Sequence, residues 1–207
     1  MTLRASAALA LILGIALMLI YLYELGKGPW AGKAACHMRA MKDRVTAPAS
    51  FQPFTIAGMA VLPKLTPLPV RAAIESRGVS VEGYVQRVIK APDADYHLDF
   101  SADPLSATDR LHPYVVAEIA SRWQAGSRTW RYERLLETFR PLRGGPAGWP
   151  QGPRRVRLSG WLMYDYPHQH RPPRPGRASA QGAWEIHPVT RIETWDDSLS
   201  RFVEYPR

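Results

Sequence analysis

VRLSGWLMYD (156–165) and AWEIHPVTRIE (183–193), with a Pro/Arg-rich interruption between them, decide how the rest of this chain is read. In the first run Val156, Leu158 and Leu162 fall on one face, with Gly160 between them, while Arg155, Arg157, Ser159 and Trp161 fall on the other. A period of two marks a strand with one face in a core. The second run opens in the same way, Trp184 and Ile186 against Glu185 and His187, and then meets Pro188. Proline supplies no ladder donor, so the sequence predicts an edge position or a bulge there. A strand pair joined by a long, basic, proline-rich loop is a place where binding can be grafted onto a rigid scaffold.

The same alternation recurs toward the N-terminus. VSVEGYVQRVI (79–89) alternates Val79, Val81, Gly83 and Val85, and a turn at Ala91-Pro92-Asp93 leads to a second strand. There Tyr96, Leu98 and Phe100 share one face, and His97 and Asp99 the other. YVVAEIA (114–120) is a third, with Val115, Ala117 and Ile119 opposite Val116 and Glu118. In TWRYERLLETF (129–139) the period changes: Tyr132, Leu135, Leu136 and Phe139 stand at i, i+3, i+4 and i+7, predicting an amphipathic helix with Thr129 as its N-cap. PVRAAIES (69–76) reads as a short helical turn ended by Gly78, and 141–153 as a Pro/Gly-rich connection.

Strand, strand, strand, helix, strand, strand is the order of the OB-fold, a five-stranded Greek-key barrel with a helix between its third and fourth strands, and the chain resembles it. Gly83 and Gly160 suit the sharp coiling of so small a barrel. GYVQRV with DADYHLDF, and GWLMYDYPH with WEIHPVTRIE, further resemble bacterial membrane-anchored OB-like domains over residues 78–195. This resemblance implies an architecture; activity has to be argued from sites.

Residues 5–23, ASAALALILGIALMLIYLY, are uncharged between Arg4 and Glu24. A helix of that length covers a hydrocarbon core of about 30 Å, and Tyr21 and Tyr23 suit its interface. The competing reading is a cleaved signal peptide, which the bulky Tyr-Leu-Tyr-Glu end and the missing A-x-A site oppose. Positive charges at Lys27, Lys33, Arg39 and Lys42 favour a cytoplasmic C-terminal part. An Arg-then-apolar start resembles an export signal, and on that ground the expectation is a single-pass inner-membrane protein with a periplasmic domain. AGKAACHMRAMKDRV (31–45) predicts a basic amphipathic helix beside the membrane. The proline-punctuated stretch 46–70 predicts an extended stem whose Phe51, Phe54, Ile56, Met59 and Leu62 need a surface to lie on, in this chain or in a partner. The expected division is thus an anchor (1–25), a juxtamembrane helix and stem (26–69), an OB-like barrel (70–196) and a tail (197–207).

With 207 residues the chain has room for one ordinary domain and an appendage, and its single Cys36 excludes an internal disulfide or a four-thiolate zinc site. The net charge of +9 favours an anionic surface or partner without choosing among phospholipid, nucleic acid and acidic protein.

Three chemistries have particular residues to draw on. Asp165, His168, His170 and His187 offer carboxylate and imidazole for a metal, but Arg171 flanks the loop, and His187 reads instead as a residue bonded to backbone, Asp165 or Glu185 near the bulge. Asp93, Asp95 and Asp99 gather near one hairpin, as a thermonuclease-like site would need, yet no matching series of acidic residues and arginines follows, so they read as a solvated turn. No G-x-S-x-G, P-loop, H-E-x-x-H or dinucleotide motif occurs. For nucleic acid, Trp161 and Tyr84 are stacking candidates with Arg87, Arg155 and Arg157 for phosphates. An anchor and an export route argue against that partner. The expectation is therefore a non-enzymatic interaction module without catalytic, cofactor or metal residues, an accessory subunit of a respiratory, photosynthetic or envelope complex. Its partners would be other membrane proteins and anionic headgroups, met by Arg171, Arg174, Arg177, His168, His170, Trp161, Phe51, Phe54, Phe202 and Tyr205.

Overall fold

The computed structural model describes residues 14–15, 29–63, 68–104, 114–141, 152–165 and 183–207. Two compact units, Met1–His37 and Met38–Arg207, divide the chain. Helix α1 (Pro29–Lys42) crosses that division. In the second unit follow β1 (Gln52–Phe54), α2 (Ile56–Ala60), α3 (Leu68–Glu75), β2 (Gly78–Lys90), β3 (Tyr96–Ser101) and β4 (Tyr114–Ile119). Then come α4 (Ser121–Ala125), α5 (Tyr132–Phe139), β5 (Arg155–Tyr164), β6 (Trp184–Asp196) and β7 (Arg201–Tyr205). Among the described residues no helix is long and apolar enough to cross a membrane. The apolar run 5–23 lies outside them except for Gly14 and Ile15, which are helical.

The strands run β2-β3-β4-β6-β5, and an additional β5–β2 pairing closes them into a five-stranded barrel. All its ladders are antiparallel except β4–β6, where Val116 pairs with Glu185 and Ala117 with Ile186 in parallel. That mixed order is the OB-like one. It follows from helices being inserted between β4 and β5: a strand returning from them pairs first with β2, which leaves β6 to fill the gap beside β4. The alternating apolar residues meet inside, where Val79, Val81, Val85, Leu98, Phe100, Val115, Ala117, Ile119, Leu158, Leu162 and Ile186 are almost wholly buried. Leu135 and Phe139 of α5 join them, so the helical period at 132–139 aims one stripe at the barrel as its spacing requires.

Two expectations are corrected. Among the described residues, two short helices rather than one occupy the β4–β5 connection. The second starts at Tyr132 with Arg131 at its N-cap and no side-chain cap, because the Thr129 hydroxyl donates to the Pro206 carbonyl, and the Ser127 hydroxyl accepts from the Trp130 amide (2.8 Å). The bulge expected at Pro188 is present, His187 and Pro188 together standing opposite Trp161. β6 continues through it, with a cis His187–Pro188 bond, and Gly160 pairs with Val189 while Leu162 pairs with Ile186.

The proline-punctuated segment folds onto the barrel. β1 adds in parallel to Val79–Val81, and Thr55 caps α2 by accepting from the Gly58 amide at 2.9 Å. Ile56 and Met59 then enter the core, and the Trp184 indole donates to the Pro63 carbonyl at 2.8 Å. At the other end β7 pairs with Ile192–Asp196, and Phe202 meets Trp195 edge-on at 5.1 Å.

Gly160 is required by closeness. A Cβ there would fall inside contact distance of the Pro188 carbonyl oxygen and 2.9 Å from the Ile186 methyl. The obstruction is backbone, which cannot rotate away. Gly160→Ala should therefore destabilise the barrel by about 2–3 kcal/mol or more, read as a shift in the urea midpoint with an unchanged slope.

Candidate functional site

The outer face of β3, β4 and β6 carries an unusual density of titratable groups. His97 and Asp99 project from β3, and the β3–β4 register sets His97 against Glu118. The parallel β4–β6 ladder, extended one step beyond Ala117 and Ile186, brings Glu118 beside His187. Asp95 reaches the same spot from the end of the β2–β3 turn, whose closing bond runs from the Ala91 amide to the Asp95 carbonyl at 2.8 Å.

The imidazole Nε2 of His187 lies 3.3 Å from Asp95 Oδ2 and 3.2 Å from Glu118 Oε2. The remaining carboxylate oxygens are held from behind. Asp95 Oδ1 accepts the Ser121 amide at 2.7 Å, and Glu118 Oε1 lies 2.9 Å from His97 Nδ1. His97 Nε2 faces Asp99 Oδ1 at 3.7 Å, and Arg87 binds the other Asp99 oxygen at 2.7 Å. His187 is wholly buried, and Asp95, Asp99 and Glu118 are each less than a tenth exposed.

Burial alone would drive these groups neutral, and the contacts oppose it unequally. For His187 burial lowers the pKa, but the facing Asp95 and Glu118 carboxylates, with the charge of Glu185, push it up to about 9. For Glu118 burial raises the pKa, yet the facing His187 and His97 imidazoles outweigh it and hold the carboxyl well below its ordinary range. For Glu185 burial, then the neighbouring Glu118 and Asp165 charges, raise the pKa well above the usual value against the smaller opposing pull of His187 and Lys42. Lys42 contributes the cation on the solvent side. Burial lowers its pKa, but Glu118, Glu185, Asp165 and Asp93 together raise it, and its ammonium stands 3.7 Å from Asp93.

Sequence reasoning singled out most members of this cluster without assembling it. The acidic hairpin is not a solvated turn: Asp93 is exposed, but Asp95 and Asp99 are buried. The hydrogen-bonding carboxylate of His187 is Asp95, with Glu118 next to it, rather than Asp165 or Glu185. The signal was Glu118 opposite three apolar β4 residues, but its link to His187 depends on the parallel register.

The sequence-derived partner residues fall in different places. Arg171, Arg174, Arg177, His168 and His170 lie outside the described residues. The Trp161 indole donates to the Thr46 carbonyl at 2.8 Å, and the Arg44 guanidinium stands 4.4 Å above its ring. Phe202 lies beneath Arg157 at 3.9 Å, and the Tyr205 hydroxyl donates to the Thr129 carbonyl at 3.3 Å. Phe51 and Phe54 line an open groove of about 770 Å³ together with Glu82, Arg157, Arg191 and Glu193. The phosphate candidates are all paired, Arg87 with Asp99 and Arg155 and Arg157 with Glu82, each at 2.7 Å.

No family model matches the chain, and no curated protein matches it either. Among solved structures, a chain assigned as an aspartyl-tRNA synthetase from Leishmania major Friedlin aligns with 79% of this chain at 11% identity and a TM-score of 0.33. The aspartyl tRNA synthetase of Entamoeba histolytica aligns with 79% at 16% identity, also at 0.33. The aligned part spans only 26% and 28% of those two proteins. The protein is a mainly β chain built on a five-stranded OB-like barrel, and the class rests on its own strand order.

Glu118 is the member whose loss leaves most charge uncompensated, since both His97 and His187 face it. Glu118→Ala should cost about 3–5 kcal/mol, as expected when one partner of a buried ion pair is removed, measured by urea denaturation.

Proposed function

We propose that the chain is a membrane-anchored, non-enzymatic protein-interaction module, an accessory subunit of a larger membrane protein complex. Residues 5–23 serve as its inner-membrane anchor and the barrel stands on the periplasmic side. The observation that carries this reading is the open groove beside β1 and α2. Its lining combines apolar Phe51, Pro53, Phe54 and Ile56 with charged Glu82, Arg157, Arg191 and Glu193. Such a groove suits an amphipathic segment of a partner, with aromatic contacts for affinity and charges for register. The alternative, a nucleic-acid-binding barrel, is disfavoured by the carboxylate partners of Arg87, Arg155 and Arg157 and by the covering of Trp161. The segment 166–182, with Arg171, Arg174 and Arg177, is proposed as a separate cationic contact for acidic protein or headgroups.

The test is extraction of the full-length protein in mild detergent, followed by mass spectrometry of what copurifies. Wild type should bring down a defined set of membrane proteins, and replacing the three loop arginines with glutamate should reduce that recovery about tenfold while the barrel stays folded. Recovery of wild type as a lone monomer would end this reading. Loss with Phe51→Asp, but not with the arginine variant, would move the contact to the groove.

A further inference from the structure

We propose that Asp95, Glu118 and His187 bind a divalent first-row transition-metal cation of the zinc class. One ligand atom from each lies within 4.8 Å of the others in a buried site. A cation bonded at about 2.1 Å sets its ligands about 3.0 Å apart in octahedral and about 3.4 Å apart in tetrahedral arrangement. The two edges meeting at His187, 3.3 and 3.2 Å, fall in that interval. The third edge reaches it by closing no more than about 1.4 Å, a carboxylate rotation.

The hydrogen-bond inventory is independent of this spacing. His187 Nε2 carries one proton at most, and two carboxylate oxygens face it. Asp95 Oδ2 takes that bond, and Glu118 Oε2, buried and aimed into the same triangle, has no hydrogen-bond partner. A cation at the centre answers all three atoms, which a single proton does not. The two carboxylates are held from behind as ligands in an outer coordination shell are. The Ser121 amide on Asp95 and His97 on Glu118 each engage the oxygen that points away, leaving one oxygen of each carboxylate directed inward. One imidazole nitrogen with two carboxylate oxygens suits zinc, manganese or ferrous iron better than magnesium or calcium, which prefer all-oxygen sites. The inference is independent of the interaction-module reading and assigns no reaction to the ion.

The full-length protein in detergent, stripped with a chelator, is titrated with zinc chloride by calorimetry in excess magnesium, with metal content measured after dialysis. One zinc per chain is expected. Asp95→Asn and Glu118→Gln should each weaken binding at least tenfold. His97→Gln, a positioning change on a partly exposed residue, should weaken it about tenfold. Circular dichroism reports whether each variant folds, and where Glu118→Gln does not, Asp95→Asn and His97→Gln decide. The visible spectrum of the cobalt-loaded protein should also shift in His97→Gln, which a purely structural role would leave unchanged. A His168→Ala/His170→Ala variant should bind as wild type does. Absence of stoichiometric zinc in the wild type, undiminished affinity in the folded carboxamide variants, or loss of binding in the loop variant would each overturn the proposal.

Discussion

The short parallel ladder between β4 and β6 is the joint on which fold and site both depend. It involves only Val116 with Glu185 and Ala117 with Ile186, yet it completes the ring that β2 and β5 begin. The shared interior alternation of the two strands follows from it, since a slip of one residue would turn either Ala117 or Ile186 outward and bring Glu118 or Glu185 into the core. The same register sets Glu118 beside His187 on the outer face. Folding the barrel therefore assembles the charge cluster, and the cluster's charge balance favours that register over its neighbours.

The cluster is an expensive arrangement. Each buried carboxylate loses hydration that only close, well-directed contacts offset, and the offsets are uneven: Glu118 has two imidazoles, Asp95 an imidazole and an amide, whereas Glu185 Oε1 has no hydrogen-bond partner. Replacing such groups with apolar residues of similar volume is often neutral or stabilising, so stability alone is a weak account of why acidic and histidine side chains converge here. A concentration of shifted groups at one point more often belongs to a place where something is bound.

Much of the architecture was legible because its signals were local. The alternation at Val156, Leu158 and Leu162, that of Tyr96, Leu98 and Phe100, and the helical spacing of Leu135, Leu136 and Phe139 each follow from a short stretch of chain. Gly83 and Gly160 were legible as points of sharp coiling, and the structure adds that the Ser101 and Pro188 carbonyl oxygens crowd the two positions. The site was not legible in the same way. Asp95, Glu118 and His187 are far apart in sequence, and only the parallel register joins them. A hairpin with three aspartates reads as solvated unless one knows that Ser121 and His187 come to meet Asp95. The start of α5 was misplaced for a related reason: Thr129 has the chemistry of a cap, but a residue near the chain's end, Pro206, occupies its hydroxyl.

The C-terminal strand has a bearing on how this protein fares when shortened. β7 covers the edge of β6 from Ile192 to Asp196, and Phe202 lies against the Trp195 ring. Removing it would leave five residues of unpaired backbone beside an uncovered indole, a flat template on which another chain can add. The last few residues thus act as a guard against edge-to-edge aggregation, and a trimmed barrel would be lost to precipitation before it was lost to unfolding.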